Sequence, residues 1–432
     1  MKSSLGEKAY QLAQQLFPIP RSLMGEGFRS SLRLIELKTG EVFTRMKFKT
    51  GDRVFDWSIP HEWRLVKAEI RDELNIEHLK YKENNLQVIN GSESIDIYIK
   101  GLELKKYTIT AKDPTATPYI TSYYGKNAGF CLSKEKLAKL STKKQLHLKI
   151  KSEKIEGYLE VGEVFLKGRS KREIFFSTYL CHPMMGNNEL SGPVVQSMLI
   201  KALRRRQTRE GLRYSYRFAF LPETIGSIAY LSKRKDHLKK NLIAGYVLTC
   251  LAKTNEKIVF MPSRLGSTYA DSMTKRVLER EGISYRKSNW LKRGSDERQY
   301  CAPGIDLPMV SLMKGKYGEY KEYHTSKDDL NLISAGELDH TISLYLKIVD
   351  EIERQEFYEN KMLCEPMMSK RKLYSDLGQA KIGKFTQNLM NVLSFCDGFH
   401  DLQQIETLCR LSQSDVNEAI AVLSKNKLIC LT

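Results

Sequence analysis

Three uninterrupted apolar runs, each leading into a polar loop and then a helix-like stretch, constrain this chain more than any other feature. Residues 173–180 read EIFFSTYL, residues 214–222 read YSYRFAFLP and residues 242–250 read LIAGYVLTC. Runs of this kind suit strands covered on both faces. Between them lie LSGPVVQSMLIKALRRR and SIAYLSKRKDHLKK, which read as helices. KIVFMP, a helix near 268–282, the strand PMVSLM at 308–313 and a long amphipathic helix over 335–356 extend the series. Strands alternating with helices predict an α/β fold, a mostly parallel sheet sandwiched by helices.

The flanking regions read differently. Residues 5–17 have the period of an amphipathic helix. From 30 to 130 short alternating runs appear, such as EVFTRMKF, RVFDWSI, LQVI and IDIYI, split by Thr39-Gly40, Thr50-Gly51 and Asn90-Gly91. That pattern predicts a β-rich inserted module. From about 370 three short helical stretches and a terminal apolar LICLT suggest a small winged-helix-like domain. The expected organisation is therefore 1–30 with 131–365 as the α/β domain, 31–130 as the inserted module and 370–432 as the tail.

Composition narrows the setting. No run of eighteen apolar residues is present, and the N-terminus lacks the apolar core of a signal peptide, so the expectation is a cytoplasmic protein with no membrane partner. The 8 cysteines form no C-x-x-C pair and sit mostly in apolar runs, which suits reduced, packed thiols. The net charge of +19 favours anionic partners and says nothing of fold. Residues 201–240 hold twelve Lys/Arg against three acids, and residues 132–154 hold eight lysines against two. Both read as solvated faces, with an anion-binding surface as the alternative. The tail from 365 carries eight Lys/Arg and seven acids, too balanced for a phosphate-contacting module. Nucleic acid is therefore not the expected partner. A protein-contact or homo-oligomer role suits the tail better.

In open α/β sheets, sites form beyond the carboxyl ends of the strands. His182 follows the first apolar run, and Asn187, Asn188 and Glu189 continue its loop. Glu223 and Thr224 follow the second, in LPETIG. Lys253 follows the third, in TCLAKTN. Asp296 stands in RGSDERQYC, while Tyr323 and His324 stand in YGEYKEYHTSKDDL after the strand at 308–313. Each residue alone has a bland reading: a histidine that hydrogen-bonds, a glutamate at a helix N-terminus, an aspartate that caps a loop. Polar groups on five successive segments at one sheet edge point to a site. Ser191-Gly192 reads as a helix start that permits close packing.

The order of His, N-x-x-x-S-G, Pro-Glu-x-x-Gly, S-D-E and Y-H-T-S-x-D-D resembles the bacterial aminopeptidase-like proteins that share the di-zinc aminopeptidase fold. LFPIPRSLMGEG, VFDWSIPHEW, PYITSYYGKNAGFCL and CAPGIDLPMVSLMKGKYG fit the same family. The resemblance covers nearly the whole chain, including an early β-rich insertion and a winged-helix tail. It implies that His182 and His324 are metal ligands and that Glu223 is the general base. It also implies that Asn188 stands where a bridging Asp belongs, Thr224 where a Glu ligand belongs, and Lys253 about where a later Asp belongs. Asp296 would orient the site. Arg293 would pair with a substrate carboxylate or with Asp296, and Tyr323 would line the pocket.

Charge then decides how much metal such a site can hold. Two zinc ions bring four positive charges, which bridging carboxylates normally offset. An amide is a poor bridge, and an ammonium near one metal adds several kcal/mol of repulsion even at an effective dielectric of ~20. The expectation is one zinc at most, held by His182, His324 and either Asn188 or Glu223. Two functions fit. One is hydrolysis of an amide in a small-molecule or peptide-like substrate. The other is a catalytically degenerate scaffold that binds a peptide-like or anionic ligand, with Lys253 supplying the charge.

Overall fold

The computed structural model describes residues 3–373 and 383–432; the part of the expected tail at 374–382 and the first two residues lie outside the described residues. Its centre is one eight-stranded sheet. We number these strands β1 (Thr44–Lys49), β2 (Tyr158–Leu166), β3 (Glu173–Tyr179), β4 (Ser215–Leu221), β5 (Leu242–Val247), β6 (Ile258–Met261), β7 (Tyr285–Lys287) and β8 (Met309–Lys314). The spatial order is β1-β2-β4-β3-β5-β8-β6-β7. The four middle strands β4, β3, β5 and β8 run parallel, as the apolar runs predict. β2 and β6 join them antiparallel, at β4 and β8; β1 in turn pairs antiparallel with β2, and β7 parallel with β6.

Every residue of β3, β4 and β5 is buried, because helices cover both faces of the sheet. On one face Leu5–Leu16, Ser191–Glu210, Tyr269–Arg280 and Ala335–Arg354 share a core with Phe176, Phe218 and Tyr246 of the sheet. On the other, Ile225–Asn241 packs Ile228, Ala229 and Leu231 against Phe175 and Leu221. Each fully buried Leu, Ile or Phe in these layers contributes about 1.5–3 kcal/mol. Local chemistry agrees with the packing. Ser4 and Glu7 close a capping box on the first helix, satisfying two otherwise orphaned amide groups.

Helix Glu26–Thr39, which begins before the expected boundary at residue 30, packs on the main core, and strand β1 pairs with β2 in the main sheet. The module's own sheet joins Glu62–Asp72, Leu146–Ile155 and Ile95–Ile99, so it reaches well past residue 130. Alternation in that region does not reveal which sheet a strand will join. The tail begins earlier than 370, because Phe357–Asn360 pairs with Asp397–Asp401 and Ile429–Leu431. Three helices, Lys384–Ser394, Leu402–Cys409 and Gln413–Lys425, complete it. No described helix is long and apolar enough to cross a membrane. All eight cysteines are free, and five of them are buried.

Candidate active site

The loops leaving the carboxyl ends of β3, β4 and β8 converge at one place. After β3 the chain passes Cys181 and His182, then makes a single wide turn over Gly186–Leu190 before helix Ser191–Glu210. That turn is held from across the site. The Asn187 and Asn188 amides donate to the two Asp328 carboxylate oxygens at 2.6 and 3.0 Å, and the Tyr320 hydroxyl donates to the same group at 2.6 Å. Ser191 does not cap the helix; its hydroxyl accepts the Leu251 amide at 2.9 Å and ties the turn to the loop after β5. Gly192 is needed for close approach, since a Cβ there would lie 2.3 Å from the Leu248 carbonyl oxygen.

His182 sits at the centre. Its Nδ1 lies 2.8 Å from Glu189 Oε2, and its Nε2 lies 3.6 Å from Glu223 Oε2. The imidazole packs against Tyr119, Tyr179 and His324, with ring centroids 4.8, 5.3 and 5.3 Å away. Burial opposes charging this ring, but Cys181 and Glu189 outweigh it and raise the histidine well above its ordinary value. His324 behaves oppositely: burial, with the charge of His182, pushes it down to about 3. Tyr323 stacks on His324 at 3.9 Å.

Glu223 follows β4, takes a hydrogen bond from the Ser295 hydroxyl at 3.0 Å, and is pushed up by burial. Asp296 orients the next turn. Its Oδ1 accepts the Thr224 amide at 2.7 Å and the Ser227 hydroxyl at 2.9 Å. Burial and the charge of Glu223 push Asp296 up to about 8. Thr224, Cys250 and His324 all have positive φ, at 63°, 55° and 52°. For a β-branched residue such as Thr224 this is costly, and strain of this kind gathers at functional sites.

His182, Glu223, His324, Tyr323, Asp296 and Asn188 therefore come together. Two expected residues do not. Arg293 is exposed, with its guanidinium over the Trp290 ring at 5.2 Å, and it does not pair with Asp296. Lys253 lies at the side, where its Nζ is 3.1 Å from Glu256 and 4.0 Å from Glu322. Its charge is already answered by those carboxylates, so it is not a bare cation facing His182.

Several participants escape a motif reading. Glu189 was visible only as part of a loop, yet it is buried and is the carboxylate nearest His182 Nδ1. Arg21, fully buried, donates its Nε to the His182 carbonyl at 3.0 Å. The inserted module supplies Tyr119, whose amide donates to the His324 carbonyl at 2.8 Å. Arg21 and Tyr119 lie in LFPIPRSLMGEG and PYITSYYGKNAGFCL, motifs whose place near the site only the tertiary fold reveals.

The donor set can be tested for a metal. Several buried atoms around the ring, both Glu189 carboxylate oxygens among them, lack a hydrogen bond. The Nε2 of His324 and the Oδ1 of Asn188 have no hydrogen bond, and the Nε2 of His182 meets only the longer contact to Glu223. Glu189 against Nδ1 is the outer partner that metal-binding histidines ordinarily have. These groups suit one divalent cation. Among the described residues, a second donor group lies on the inner side of the ring, where a Cys181 sulfur, a His182 nitrogen and a Glu189 carboxylate oxygen all fall within 4.8 Å of one another.

A cleft of about 420 Å³ opens over His182 and Glu223. Its walls include Trp57, Tyr119, Tyr123 and Tyr124.

The chain is similar to known proteins in sequence and in fold. A protein of Clostridium acetobutylicum, whose name couples polysaccharide biosynthesis with an aminopeptidase-like domain, is 36% identical over 410 residues, covering 93% of this chain and 91% of its own. A crystal structure of a protein from the same organism, named as a peptidase, superposes with a TM-score of 0.78 at 33% identity over 99% of this chain and 96% of that one. A zinc aminopeptidase from Bacillus subtilis superposes at 0.58 with 15% identity, over 80% of this chain and 95% of that one, a likeness of fold alone. Residues 356–430 match the winged helix-turn-helix family. Over residues 10–355 the chain matches the family described as a domain of unknown function (DUF4910), and to that aminopeptidase-like family it belongs.

Proposed function

We propose that the protein is an amide hydrolase working with a single divalent cation, zinc by preference. The observation that carries this reading is Glu223, held by Ser295 at 3.0 Å with its other oxygen 3.6 Å from His182 Nε2, on the floor of an open cleft. A cation held by His182 and His324, with Asn188 Oδ1 beside them, would polarise the scissile carbonyl. Glu223 takes a proton from the attacking water as the new C–O bond forms. It then gives that proton to the leaving nitrogen as the C–N bond breaks, releasing a carboxylic acid and an amine. Asp296 and Ser295 hold the base in place, and Tyr323 supports His324. The names of the C. acetobutylicum relatives support an amide bond in a peptide-like molecule or in a precursor of a polysaccharide.

The test is a panel of aminoacyl-amides and N-acylated amino sugars offered to the zinc-loaded, full-length protein. Hydrolysis of any member should fall at least about 100-fold in Glu223→Gln, the usual worth of a positioned base. Unchanged turnover in that variant would remove Glu223 from the chemistry.

A second reading is favoured by Asn188, an amide where the resemblance expects a bridging carboxylate. On that reading the site binds its ligand without turnover. Elemental analysis separates the two: protein that takes up no zinc and turns over no panel member is the degenerate scaffold. The balanced charge of the tail, with Asp415 and Glu418 on helix Gln413–Lys425, favours a protein-contact role over nucleic acid.

A further inference from the structure

The cleft over Glu223 carries its own statement of what it accepts. Among the described residues lining it, Glu223 is the sole carboxylate, and no lysine or arginine is present. A peptide with a free N-terminus would bring an ammonium next to the cation that His182 and His324 would hold, with Glu223 the one lining carboxylate to answer it. Glu223 could answer that ammonium only by giving up its freedom as a base. A buried charge without a partner costs several kcal/mol. The inner cleft therefore favours a neutral group.

The walls specify more. Trp57 and Tyr124 meet edge to face, with ring centroids 5.6 Å apart, and both remain partly exposed, Trp57 at 39% and Tyr124 at 57%. The pair is fixed in place. The Tyr124 hydroxyl donates to the Ser58 carbonyl at 3.3 Å, and Trp57 belongs to a two-stranded ribbon with Val54. Tyr123 is held by the Leu23 amide, which donates to its hydroxyl at 3.3 Å. Rigid aromatic faces beside hydroxyl and amide side chains such as Ser122 and Asn127 suit ligands with flat C–H faces and hydroxyl edges.

The cleft also continues. Tyr123, Tyr124 and Gly125 line a second cavity of about 600 Å³. The lining sets Lys126 and Lys154 against Glu93 and Glu156, with Lys154 paired to Glu93 and His61 Nε2 3.4 Å from Glu156. The extension has length without a net demand for charge.

We infer that this two-part cleft takes a neutral oligosaccharide of N-acylated sugars, one amide seated over His182 and Glu223 and a neighbouring ring on the Trp57–Tyr124 pair. The inference rests on the reading of this cleft as the hydrolytic site and names its substrate class. Edge-paired peptides would need a free strand beside the floor. The wall segment at 118–121 already spends its backbone groups on Thr325 and Asn90.

Binding tests this without turnover. Full-length Glu223→Gln protein is titrated with the trimer of N-acetylglucosamine and with trialanine, by calorimetry and by saturation-transfer NMR. The trimer should bind and trialanine should not. Trp57→Ala and Tyr124→Ala, each with an unchanged melting temperature, should weaken the trimer about tenfold or more, as loss of an aromatic anchor does. Absence of trimer binding, tighter binding of trialanine, or trimer binding unaffected by both variants would each overturn the inference. If the wild-type protein meanwhile cleaves an aminoacyl-amide, the hydrolase reading stands and the sugar specificity alone falls.

Discussion

His182 Nδ1 and Glu189 Oε2 lie 2.8 Å apart, both side chains buried. Nδ1 faces Glu189 Oε2 and, at 3.3 Å, the Cys181 Sγ, so Nε2 is the ring nitrogen turned to the cleft. The contact makes Glu189 the positioning residue for whatever His182 binds. Removing such an outer partner typically weakens metal binding 10–100-fold. Glu189→Ala should therefore lose about that factor in zinc affinity, read by competition with a chelating dye. Glu189→Gln, which keeps an oxygen beside Nδ1, should recover most of it. Equal loss in both variants would mean that the residue's charge matters and the placed oxygen does not.

Asn188 supplies the second prediction. Its Nδ2 donates to the Tyr179 hydroxyl at 2.9 Å, while its Oδ1 has no partner. An aspartate there would bring a negative charge into the buried turn that follows His182, with almost no change in shape. Asn188→Asp should bind zinc at least about tenfold more tightly, a factor worth 1.4 kcal/mol and modest for a newly placed charge in a buried site. Elemental analysis of wild-type protein should give one zinc per chain or fewer. Two zincs in the wild type would defeat the charge argument outright.

How much of this was legible in the chain follows from these same residues. β3, β4 and β5 announce themselves because a strand buried on both faces must be apolar throughout, and His182, Glu223 and His324 follow from where such strands end. Sequence order says nothing about side-chain direction, however. Lys253 has the right position along the chain but turns to Glu256 and Glu322. Arg293 lies only three residues from Asp296 yet stacks on Trp290. Tyr119 and Arg21 reach the site from segments 63 and 161 residues away from His182, and no local pattern encodes an approach of that kind.

Gly192 offers a packing prediction independent of metal. A methyl group there would meet the Leu248 carbonyl and the Thr178 hydroxyl, both at 2.3 Å. Neither can retreat easily, because the Thr178 hydroxyl itself donates to the Leu248 carbonyl at 2.8 Å and both are buried in the sheet. Overpacking of this kind costs about 1–3 kcal/mol or more. Gly192→Ala should lower the thermal midpoint and push the Gly186–Leu190 turn outward, loosening zinc as well. A melting curve matching the wild type would show that helix Ser191–Glu210 is free to shift.

Acid stability is set partly in the inserted module. Asp72 is buried, and its carboxylate accepts from Lys143 at 2.7 Å and meets His78 Nε2 at 2.9 Å, with the Leu74 and Ile76 amides adding two more bonds. The Lys143 and His78 contacts hold this carboxyl well below its ordinary value. A carboxyl depressed in the folded state binds its proton more readily when unfolded, so its stabilising effect is complete above the unfolded value of about 4. The effect then fades as pH falls from there through the folded value. Asp72→Asn should therefore melt earlier than wild type at pH 7, and the gap should narrow steadily below pH 4. Chemical denaturation of both proteins at pH 7, 5 and 3 measures it. A gap that stays constant across that range would assign the loss to hydrogen-bond geometry and leave the charge of Asp72 without a role.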